Sequence, residues 1–596
     1  MKSRIVTFVL LSIGFLLIFT SIISSIHMQT MSQEKPEPLF TLKYLYNTAN
    51  PLQRDVGVLL QEEWGKIGVN LVLEGYETAT VRSRIWGKSG FPTFPTHDEG
   101  GFDVYLQSYN WIPTDLVYYL GCFTAEGIPP LGWNYWAAHD SRADMYLRKC
   151  MSTYNMTERK EWIYKWQEQK QEEVNEIVIA WPMRAYFTKA NIKNYCIRLN
   201  CYDIDLWTVE GKTEEDHVTV RYAMSEDPTV LLPMFGDGGY LSYLPIHRCL
   251  FRLVYDFEKE TFSLEPELVK DYELSEDGMS MILHLRDDVK FHDGVPMTSA
   301  DVKWTFDAIL DPATGSTYYG DLSAVIKSVE APDDYTVIFH FNKPSPEILT
   351  LLAPPGGYCA ILPKHVLGNI PHDQLRTCKY NTEEPPPGLG PMKFVEWKKG
   401  EYVKFEANDD YFKGRPFIDE FIQVIIPEAT TALAALEAGD VDILHTGYST
   451  ELAGEIERLK KERPDINVNL APFPATWFIA LNNDHPVLNN KYVRQALAYA
   501  TPYDKIINDL MMGLAEHANS QIHKSSWAWN PNAKYYTYDL DKARECLRKA
   551  GYPEWPPPQP AETPAPTGPS LMPTLGGFIG GIIIGIVLTY VLVRRR

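Results

Sequence analysis

Strand-like and helix-like patterns of apolar positions alternate through the middle of the chain. Residues 218–222 (VTVRY) alternate apolar and polar positions, which predicts a β-strand. Two β-type runs flank Asp277 and Gly278 and predict a hairpin, and residues 299–310 carry apolar positions at helical spacing behind a Ser-Ala-Asp start. The same reasoning predicts a second hairpin and two more helices, at residues 329–341, 429–438 and 493–512. This alternation predicts an α/β body.

Two apolar runs of membrane length lie outside that body. Residues 5–26 contain no charge and follow two basic residues, so residues 1–30 are predicted to be a signal peptide or an N-terminal membrane anchor. Residues 574–593 are predicted to be a transmembrane helix, and three arginines follow them. Because basic residues flank membrane helices on the cytoplasmic side, both tips are expected inside and the body outside. The proline-rich residues 556–573 are predicted to form an extended stalk.

Length and charge limit the class of protein. With 596 residues the chain is too long for one ordinary core, so two or three lobes are expected. Its formal net charge of −21 disfavours nucleic acid as a partner, because phosphates require basic surfaces. Its 35 Tyr and 15 Trp residues suit pockets for polar organic solutes, since each ring offers an apolar face and a polar tip. Most of these rings are nevertheless expected in the core.

The sequence lacks the common catalytic and cofactor motifs. It contains no H-E-x-x-H, no G-x-S-x-G and no Walker loop, and its 14 His residues do not cluster at metal-ligand spacing. We therefore expect no enzyme activity, no catalytic residue, no cofactor and no metal site.

Eight cysteines in a body predicted to lie outside the membrane favour disulfide formation. By closeness in the sequence, the candidate pairs are Cys196 with Cys201, Cys359 with Cys378, and Cys122 with Cys150. Asn155 begins the sequon Asn-Met-Thr and is a candidate glycosylation site.

Several segments carry motifs that follow one another in a fixed order. They are LRDDVKFHDG with TSADVKWTF (residues 285–294 and 298–306), GLGP with NDDYFKGRP (388–391 and 408–416), ALAALEAGDVD (432–442), VRQALAYA (493–500) and DKARECLRKAGYP (541–553). They resemble the hallmark segments of the dipeptide/oligopeptide-type (family 5) extracellular solute-binding proteins of ABC transporters.

The order of the larger pieces departs from the family pattern. In the family, the segment ending in Ala-Gly-Tyr continues into a strand and a helix that carries a Lys-Ile-Gly motif. In this chain that continuation lies upstream, in residues 40–69, and residues 102–106 resemble a later family strand. Residues 38–209 thus resemble the C-terminal third of a family member and residues 217–555 its N-terminal two-thirds. The resemblance therefore predicts a circularly permuted chain.

The resemblance implies a two-lobed, periplasmic-binding-protein type II-like α/β fold with an extra small domain at residues 261–385. The solute would lie between the two lobes, which close by hinge motion. In a permuted chain, residues near Pro38 and Pro553 should be neighbours in space, so both membrane segments would leave the body from one point.

The family's binding segment is altered in this chain. In peptide-binding relatives it reads Gly-Trp-x-x-Asp, and its carboxylate captures the peptide amino group. Here residues 108–115 read SYNWIPTD, with Ile112 at the place of the acid. Because a buried ammonium without a carboxylate is costly, an oligosaccharide is expected ahead of an oligopeptide, held by Tyr109, Asn110 and Trp111. Further ligand-binding candidates are Asp115, Tyr240, Trp477, Asn482, Asn483, Trp527 and Trp529.

These features predict a membrane-tethered, extracytoplasmic substrate-binding component of an ABC importer. It would hand a small oligomeric solute to permease and ATPase subunits. The two-sided anchor and the lack of a lipobox cysteine favour an archaeal source. A surface sensor or adhesion protein that keeps the fold is the alternative.

Overall fold

The computed structural model describes residues 36–557 except for short gaps. The gaps are residues 86–92, 111–115, 129–133, 196–203, 237–244, 257–258, 260, 354–358, 446–451 and 474. The chain divides into two compact units, residues 38–552 and residues 1–37 together with 553–596. The membrane segments predicted at 5–26 and 574–593 lie outside the described residues. Among the helices that are described, none combines the length and the apolar character needed to cross a membrane.

The strands and helices of the described ranges are as follows. The strands are β1 (Phe40–Asn47), β2 (Val69–Tyr76), β3 (Val104–Asn110), β4 (Glu176–Lys189), β5 (Ile192–Lys193), β6 (Thr208–Val209), β7 (Thr219–Met224), β8 (Phe251–Asp256), β9 (Thr261–Pro266), β10 (Val269–Leu274), β11 (Ser280–Leu285), β12 (Ile326–Asp333), β13 (Thr336–Phe341), β14 (Met392–Lys398), β15 (Tyr402–Ala407), β16 (Glu420–Ile425), β17 (Ile443–Leu444), β18 (Ile466–Pro472), β19 (Ala475–Leu481) and β20 (Ala515–His517). The α-helices are α1 (Pro51–Gly65), α2 (Thr78–Ile85), α3 (Val117–Phe123), α4 (Ser141–Cys150), α5 (Met156–Glu173), α6 (Ser299–Leu310), α7 (Tyr319–Ser323), α8 (Ile348–Leu351), α9 (Lys364–Leu367), α10 (Lys379–Thr382), α11 (Ala429–Ala438), α12 (Ile456–Glu462), α13 (Lys491–Tyr499), α14 (Tyr503–Lys505) and α15 (Leu540–Lys549).

One large mixed sheet runs through the compact unit. Its order is β14-β15-β16-β7-β17-β4-β19-β3-β1-β2, and β18 and β20 also pair with β4. Strands β2, β1 and β3 are parallel at one end of the sheet, and β16, β7 and β17 are parallel on the other side of β4. Sheet and helices together confirm the predicted α/β class. We call the side of β1–β3 lobe A and the side of β7 and β14–β17 lobe B.

Strand β4 joins the two lobes. Its residues 176–180 pair antiparallel with β19, and its residues 183–189 pair antiparallel with β18. Since β18 and β19 are consecutive in the chain, two adjacent antiparallel paths cross between the lobes. Pro182 lies in β4 and Pro472 ends β18, so neither supplies a backbone N–H at the crossing.

Each region of the compact unit has its own apolar core. In lobe A, the α1 residues Val56, Leu60 and Trp64 pack among buried residues of β1 and β2. Lobe B buries separate clusters that include residues of β7, β15, β16 and α11. The antiparallel sheet β10-β11-β13-β12 packs with α6 in another cluster. We call the region of β10–β13 and α6–α10 the small domain.

Local sequence signals set several of these elements. The hairpin around Gly278 and the hairpin ending at Phe341 form as predicted, as β10–β11 and β12–β13. Helix α6 begins with a capping box between Thr298 and Asp301. Helix α11 ends at Gly439, whose φ of 88° belongs to the left-handed region that glycine adopts without strain.

The single helix predicted at residues 493–512 is wrong. Helix α13 ends at Tyr499, and two short helical pieces, α14 and a π-helical turn at Ile506–Leu510, follow. Pro502 lies at the break, and it lacks the N–H that a continuing helix needs.

The two ends of the compact unit lie side by side. The rings of Phe40, in β1, and Tyr552, after α15, have centroids 5.0 Å apart. Both rings pack against the same apolar cluster of lobe A.

Two of the predicted disulfides are absent from the structure. Cys150, Cys359 and Cys378 are thiols, so the pairs with Cys122 and between Cys359 and Cys378 do not form. Cys359 is fully buried and donates a hydrogen bond to the carbonyl oxygen of Leu351, at 3.3 Å. Burial raises the pKa of Cys150 to about 11, which favours the protonated thiol. Cys196 and Cys201 lie outside the described residues.

Candidate functional site

A cavity of about 280 Å³ opens at the carboxyl ends of the parallel strands of lobe A. It is lined by Asn47, Asn50, Gln53, Thr78, Val81, Arg82, Tyr105, Gln107, Ser108 and Trp477. Ligands of open α/β sheets bind outside the carboxyl ends of parallel strands. The position of this cavity therefore makes it the candidate binding site.

The local fold brings these side chains together. Asn47 is the last residue of β1, and Asn50 caps α1 by accepting a hydrogen bond from the backbone N–H of Gln53. Thr78 begins α2 on the next βα connection. Trp477, in β19, pairs across the sheet with Ser108 in β3. Two helix starts and three strands, β1, β3 and β19, thus meet at the cavity.

Some of the polar lining groups are already used by the fold. Gln53 donates from Nε2 to the Tyr105 hydroxyl and to the carbonyl oxygen of Leu106, both at 3.0 Å. Its Oε1 accepts the backbone N–H of Asn47 at 2.8 Å. Asn47 in turn donates from Nδ2 to the Thr78 hydroxyl, at 3.0 Å. These contacts fix the wall of the cavity.

Other lining groups have capacity left for a ligand. Within the described part of the chain, the side chains of Arg82, Gln107, Ser108 and Trp477 make no hydrogen bond or ion pair. Two positions further along α2, Arg84 differs: it donates from Nη1 to the carbonyl oxygens of His97 and Gly101, each at 3.0 Å. Whether an arginine of α2 is available to a ligand therefore depends on its position in the helix and not on its residue type.

The predicted binding segment reaches this site only in part. Tyr109 is buried in an aromatic cluster, with its ring 5.6–6.1 Å from those of Tyr135, Trp136 and Phe478. Asn110 ends β3 and pairs with Ala475. Trp111, Asp115 and Tyr240 lie outside the described residues.

Asn482 and Asn483 lie at the other end of β19, away from the cavity lining. The amide of Asn482 is fully buried and donates to the carbonyl oxygens of Pro95 and Phe102, at 3.1 and 3.0 Å. Asn483 donates to the carbonyl oxygens of Trp136, Asn175 and Leu481, at 2.8–2.9 Å. The fold uses both amides to connect loops, so neither enters the site that we propose.

Trp527 and Trp529 are also outside the cavity lining. Trp529 donates from its indole N–H to Asn519 Oδ1 at 2.9 Å. The guanidinium of Arg159 stacks 4.7 Å above the ring of Trp527. Of the ten ligand candidates named from the sequence, Trp477 is the one found in the lining among those that the structure describes.

Lobe A contacts the small domain next to the start of α5. The Tyr154 hydroxyl accepts the backbone N–H of Ser345 at 2.9 Å and donates to the carbonyl oxygen of Gly278 at 3.1 Å. Arg159 forms a buried ion pair with Glu347 of the small domain. Burial lowers the pKa of Arg159, because it removes the guanidinium from water. Asn155, the sequon residue, is exposed and caps α5 through its Oδ1.

A second, larger cavity of about 650 Å³ lies beyond the far end of β19. Its buried members are satisfied: Arg494 donates to the carbonyl oxygens of Glu173 and Leu488, each at 2.8 Å. At its rim, a hydrogen bond of 3.1 Å to Asp484 raises the pKa of His139. In the described ranges, no group of three or more His, Cys, Asp or Glu side chains could hold a metal ion.

Comparison with known proteins supports the family resemblance for part of the chain. Residues 263–558 match the family described as bacterial extracellular solute-binding proteins, family 5 middle. The chain is 34% identical over 304 residues to the oligopeptide-binding protein AppA of Bacillus subtilis. That alignment covers 49% of this chain and 52% of AppA. The chain is also 30% identical over 363 residues to the heme-binding protein A of Haemophilus influenzae. This second alignment covers 58% of the chain and 64% of the relative. The structure of Bacillus subtilis AppA with a nonapeptide is similar with a TM-score of 0.43 and 26% identity, over 57% of this chain and 65% of AppA.

Both curated relatives are named for what they bind, an oligopeptide and heme, which is consistent with the expectation that the chain is not an enzyme. The chain spans about half to two-thirds of the length of the curated relatives that it matches. The family resemblance drawn from the motifs is thus confirmed for the matched segment, whereas the permutation and the membrane anchors stay predictions.

Proposed function

We propose that this chain, whose residues 263–558 match the family of extracellular solute-binding proteins, is the extracytoplasmic substrate-binding component of an ABC importer. It captures a small oligomeric solute between lobes A and B and delivers it to permease and ATPase subunits. The observation that carries the proposal is the cavity at the ends of β1 and β3, with four polar side chains that make no hydrogen bond to the described residues.

The way the lobes are joined supports a capture mechanism. Two adjacent antiparallel paths, β4 and β18–β19, are the connection between lobes A and B in the sheet. Pro182 and Pro472 lack backbone donors at the crossing, where the backbone N–H of Phe473 donates to the carbonyl oxygen of Pro182 at 2.8 Å. A connection through only two paths of this sheet suits hinge closure around a solute.

The lining supports an oligosaccharide as the solute. Trp477 offers an aromatic face, and Gln107 and Ser108 offer an amide and a hydroxyl for ring hydroxyl groups. No carboxylate is present among the described lining residues, so a peptide amino group would lack a counter-charge there. An oligopeptide is the second candidate, because the relative AppA is named as an oligopeptide-binding protein.

We also propose that the body is tethered to the membrane through residues 5–26 and 574–593. The prolines of residues 556–573 would hold the body away from the lipid surface. Support comes from the two ends of the compact unit, where the rings of Phe40 and Tyr552 are 5.0 Å apart. Two tethers that begin so close together would hold the body at one point.

A circular permutation explains the order of the segments. In this proposal residues 38–209 are the last third of a family fold and residues 217–555 its first two-thirds, joined through residues 206–216. A re-permuted chain, with 217–555 placed first and linked directly to 38–209, tests it. We expect the same cooperative unfolding and the same ligand binding, because the new junction lies where Phe40 and Tyr552 already touch. A chain that does not fold would contradict the permutation.

A ligand screen tests the proposed function. Purified protein is heated with di- to hexasaccharides and with short peptides, and the unfolding temperature is recorded. A ligand at about 100 times its Kd adds roughly 2.7 kcal/mol to the free energy of unfolding, which is readily measured. A shift with saccharides alone supports the first solute class, and a shift with peptides alone supports the second. If no member of either library shifts the transition, the binding function is wrong.

A further inference from the structure

We propose that Arg82 is the anion-binding residue of the lobe A cavity, and that the solute carries a carboxylate which this guanidinium holds. The inference rests on the proposed function, and it adds the charge of the solute and the residue that binds the charged group.

The first observation is that Arg82 has no partner among the residues that the structure describes. Arg82 lines the cavity and is exposed, and it forms no ion pair or hydrogen bond within the described residues. Several other arginines of lobes A and B are paired, for example Arg415 with Asp409 and Arg463 with Asp465. Arg82 is therefore available to a ligand, whereas those arginines are already used by acidic side chains.

The second observation is the charge of the lining. Arg82 is the single charged side chain among the ten residues that line the cavity, and the other nine are neutral. A positive centre in an otherwise neutral lining favours an anion, because none of the described lining residues is a carboxylate. An ammonium group entering the same space would meet repulsion from the guanidinium instead.

The backbone supports the same sign of charge. Helix α1, of 15 residues, begins at the cavity with Asn50 as its cap, and α2 begins there with Thr78. The amino end of a helix carries a partial positive charge, which stabilises an anion placed near it. Both starts add to the field of Arg82 without providing a site by themselves.

The chemistry of the two groups determines the mode of binding. A guanidinium presents a planar fork of N–H donors that matches the two oxygens of a carboxylate, and such charge-assisted pairs are shorter and stronger than neutral hydrogen bonds. With the acid end held at Arg82, the neutral part of the solute extends over Trp477 and toward Gln107 and Ser108. Two kinds of solute carry this group: a peptide with a free carboxyl terminus, and an oligosaccharide that contains a uronic acid.

Matched ligands separate the charge from the rest of the solute. The full-length protein, purified in detergent, is titrated calorimetrically with each peptide as its free acid and as its C-terminal amide. It is also titrated with an oligouronide and with the methyl ester of that oligouronide. We expect the acid form of one pair to bind about 10- to 100-fold more tightly than its neutral form, the range given by a charged hydrogen bond. The pair that responds identifies which source of carboxylate the protein uses.

Variants assign the effect to one residue. Arg82→Gln should remove the preference for the acid form and leave the affinity for the neutral form unchanged within about twofold. Arg82→Lys should keep part of the preference for the acid form, since lysine has the same charge but lacks the planar fork of guanidinium donors. Lys461→Gln, which removes one exposed and unpaired charge of α12 in lobe B, should change neither affinity. Since no described residue pairs with Arg82, the unfolding temperature of Arg82→Gln should equal that of the parent.

The outcomes distinguish the inference from the proposed function. If no ligand binds the parent protein, the binding function itself fails. If ligands bind but acid and neutral forms bind equally, the function stands and the role of Arg82 is overturned. A loss of affinity in Arg82→Gln that is equal for acid and neutral forms would also overturn it.

Discussion

The two ends of strand β19 use the same kinds of polar side chain for opposite purposes. Beyond its last residue, Asn482 and Asn483 are buried and all of their amide donors point at backbone carbonyl oxygens. Near its first residue, Trp477 faces a cavity where Gln107 and Ser108 have no partner within the described residues. An amide is structural where the protein has used its hydrogen bonds, and it is available to a ligand where it has not.

Two arginines of lobe A show the same contrast with charge. Arg159 is buried and paired with Glu347 of the small domain, whereas Arg82 is exposed at the cavity and has no partner in the described ranges. Removing a group that the fold uses should reduce stability, and removing a group that the fold does not use should reduce only binding. The experiments below test this division.

The largest effect is expected for Arg159→Met. The change leaves Glu347 buried without its partner, which costs about 3–5 kcal/mol of the free energy of unfolding. Urea denaturation of the variant measures the loss. The double variant Arg159→Met with Glu347→Leu is the control, because it removes both charges and should recover much of the stability. A single variant as stable as the parent would contradict a buried pair.

Asn482→Asp should be the next most damaging change. The substitution keeps the shape but replaces an N–H donor with an oxygen, which then faces the carbonyl oxygens of Pro95 and Phe102. We expect a loss of about 3 kcal/mol, since two buried acceptors lose their donor and a charge is buried. The affinity for solute, measured on the folded fraction, should be unchanged. If affinity falls while stability holds, then Asn482 belongs to the binding site and the division between the two ends is wrong.

Acid should weaken the fold before it weakens the site. Burial lowers the pKa of His247 to about 3 and those of His292 and His445 to about 4, below the ordinary value of 6.5. The unfolded chain therefore binds more protons than the native protein below about pH 6.5, and stability falls as the pH decreases through that range. Each histidine contributes about 1 kcal/mol per pH unit. Urea denaturation at pH 7.5 and 5.5 measures the slope.

Affinity should behave differently over the same pH interval. Arginine stays charged throughout it, and an ordinary solute carboxylate is ionised above about pH 4. Calorimetric titration at pH 7.5 and 5.5 should thus give the same Kd within about twofold. An affinity that falls in parallel with stability would indicate that one of the buried histidines acts on the site.

Sequence patterns predicted the local parts of the fold well. The helices predicted at residues 299–310 and 429–438 depend on residues close in the chain, and both form, as α6 and α11. The helix predicted over residues 493–512 failed at Pro502, where the backbone constraint of one residue outweighs apolar spacing. The disulfide between Cys359 and Cys378 failed because closeness in sequence does not bring two thiols together when one is buried against Leu351.

The site could be predicted only in part, for a physical reason. Trp477 is among the candidates that the sequence suggests, whereas Arg82 and Gln107 are not. What distinguishes Arg82 from Arg84 is the absence of a partner, and that depends on His97 and Gly101, which the fold brings to one of the two arginines. The structural role of Asn482 was equally hidden, since its acceptor Phe102 is 380 positions away in the sequence. Hydrogen-bond partners of this kind are tertiary facts that local sequence does not record.

Gln107→Ala gives the smallest expected effect and the sharpest comparison. The Gln107 side chain lines the cavity and makes no hydrogen bond to the described residues. The free energy of unfolding should therefore change by less than about 0.5 kcal/mol. A bound solute that uses the amide should lose one neutral hydrogen bond, about 0.5–1.5 kcal/mol or a 2- to 10-fold weaker Kd. Ser108→Ala, on the same strand, should give a similar but separate loss, and calorimetry on both variants measures it. Gln107→Ala could instead destabilise the protein and leave the Kd unchanged. The polar side chains at this end of β19 would then be structural, like Asn482 and Asn483 at the other end, and the cavity would not be the binding site.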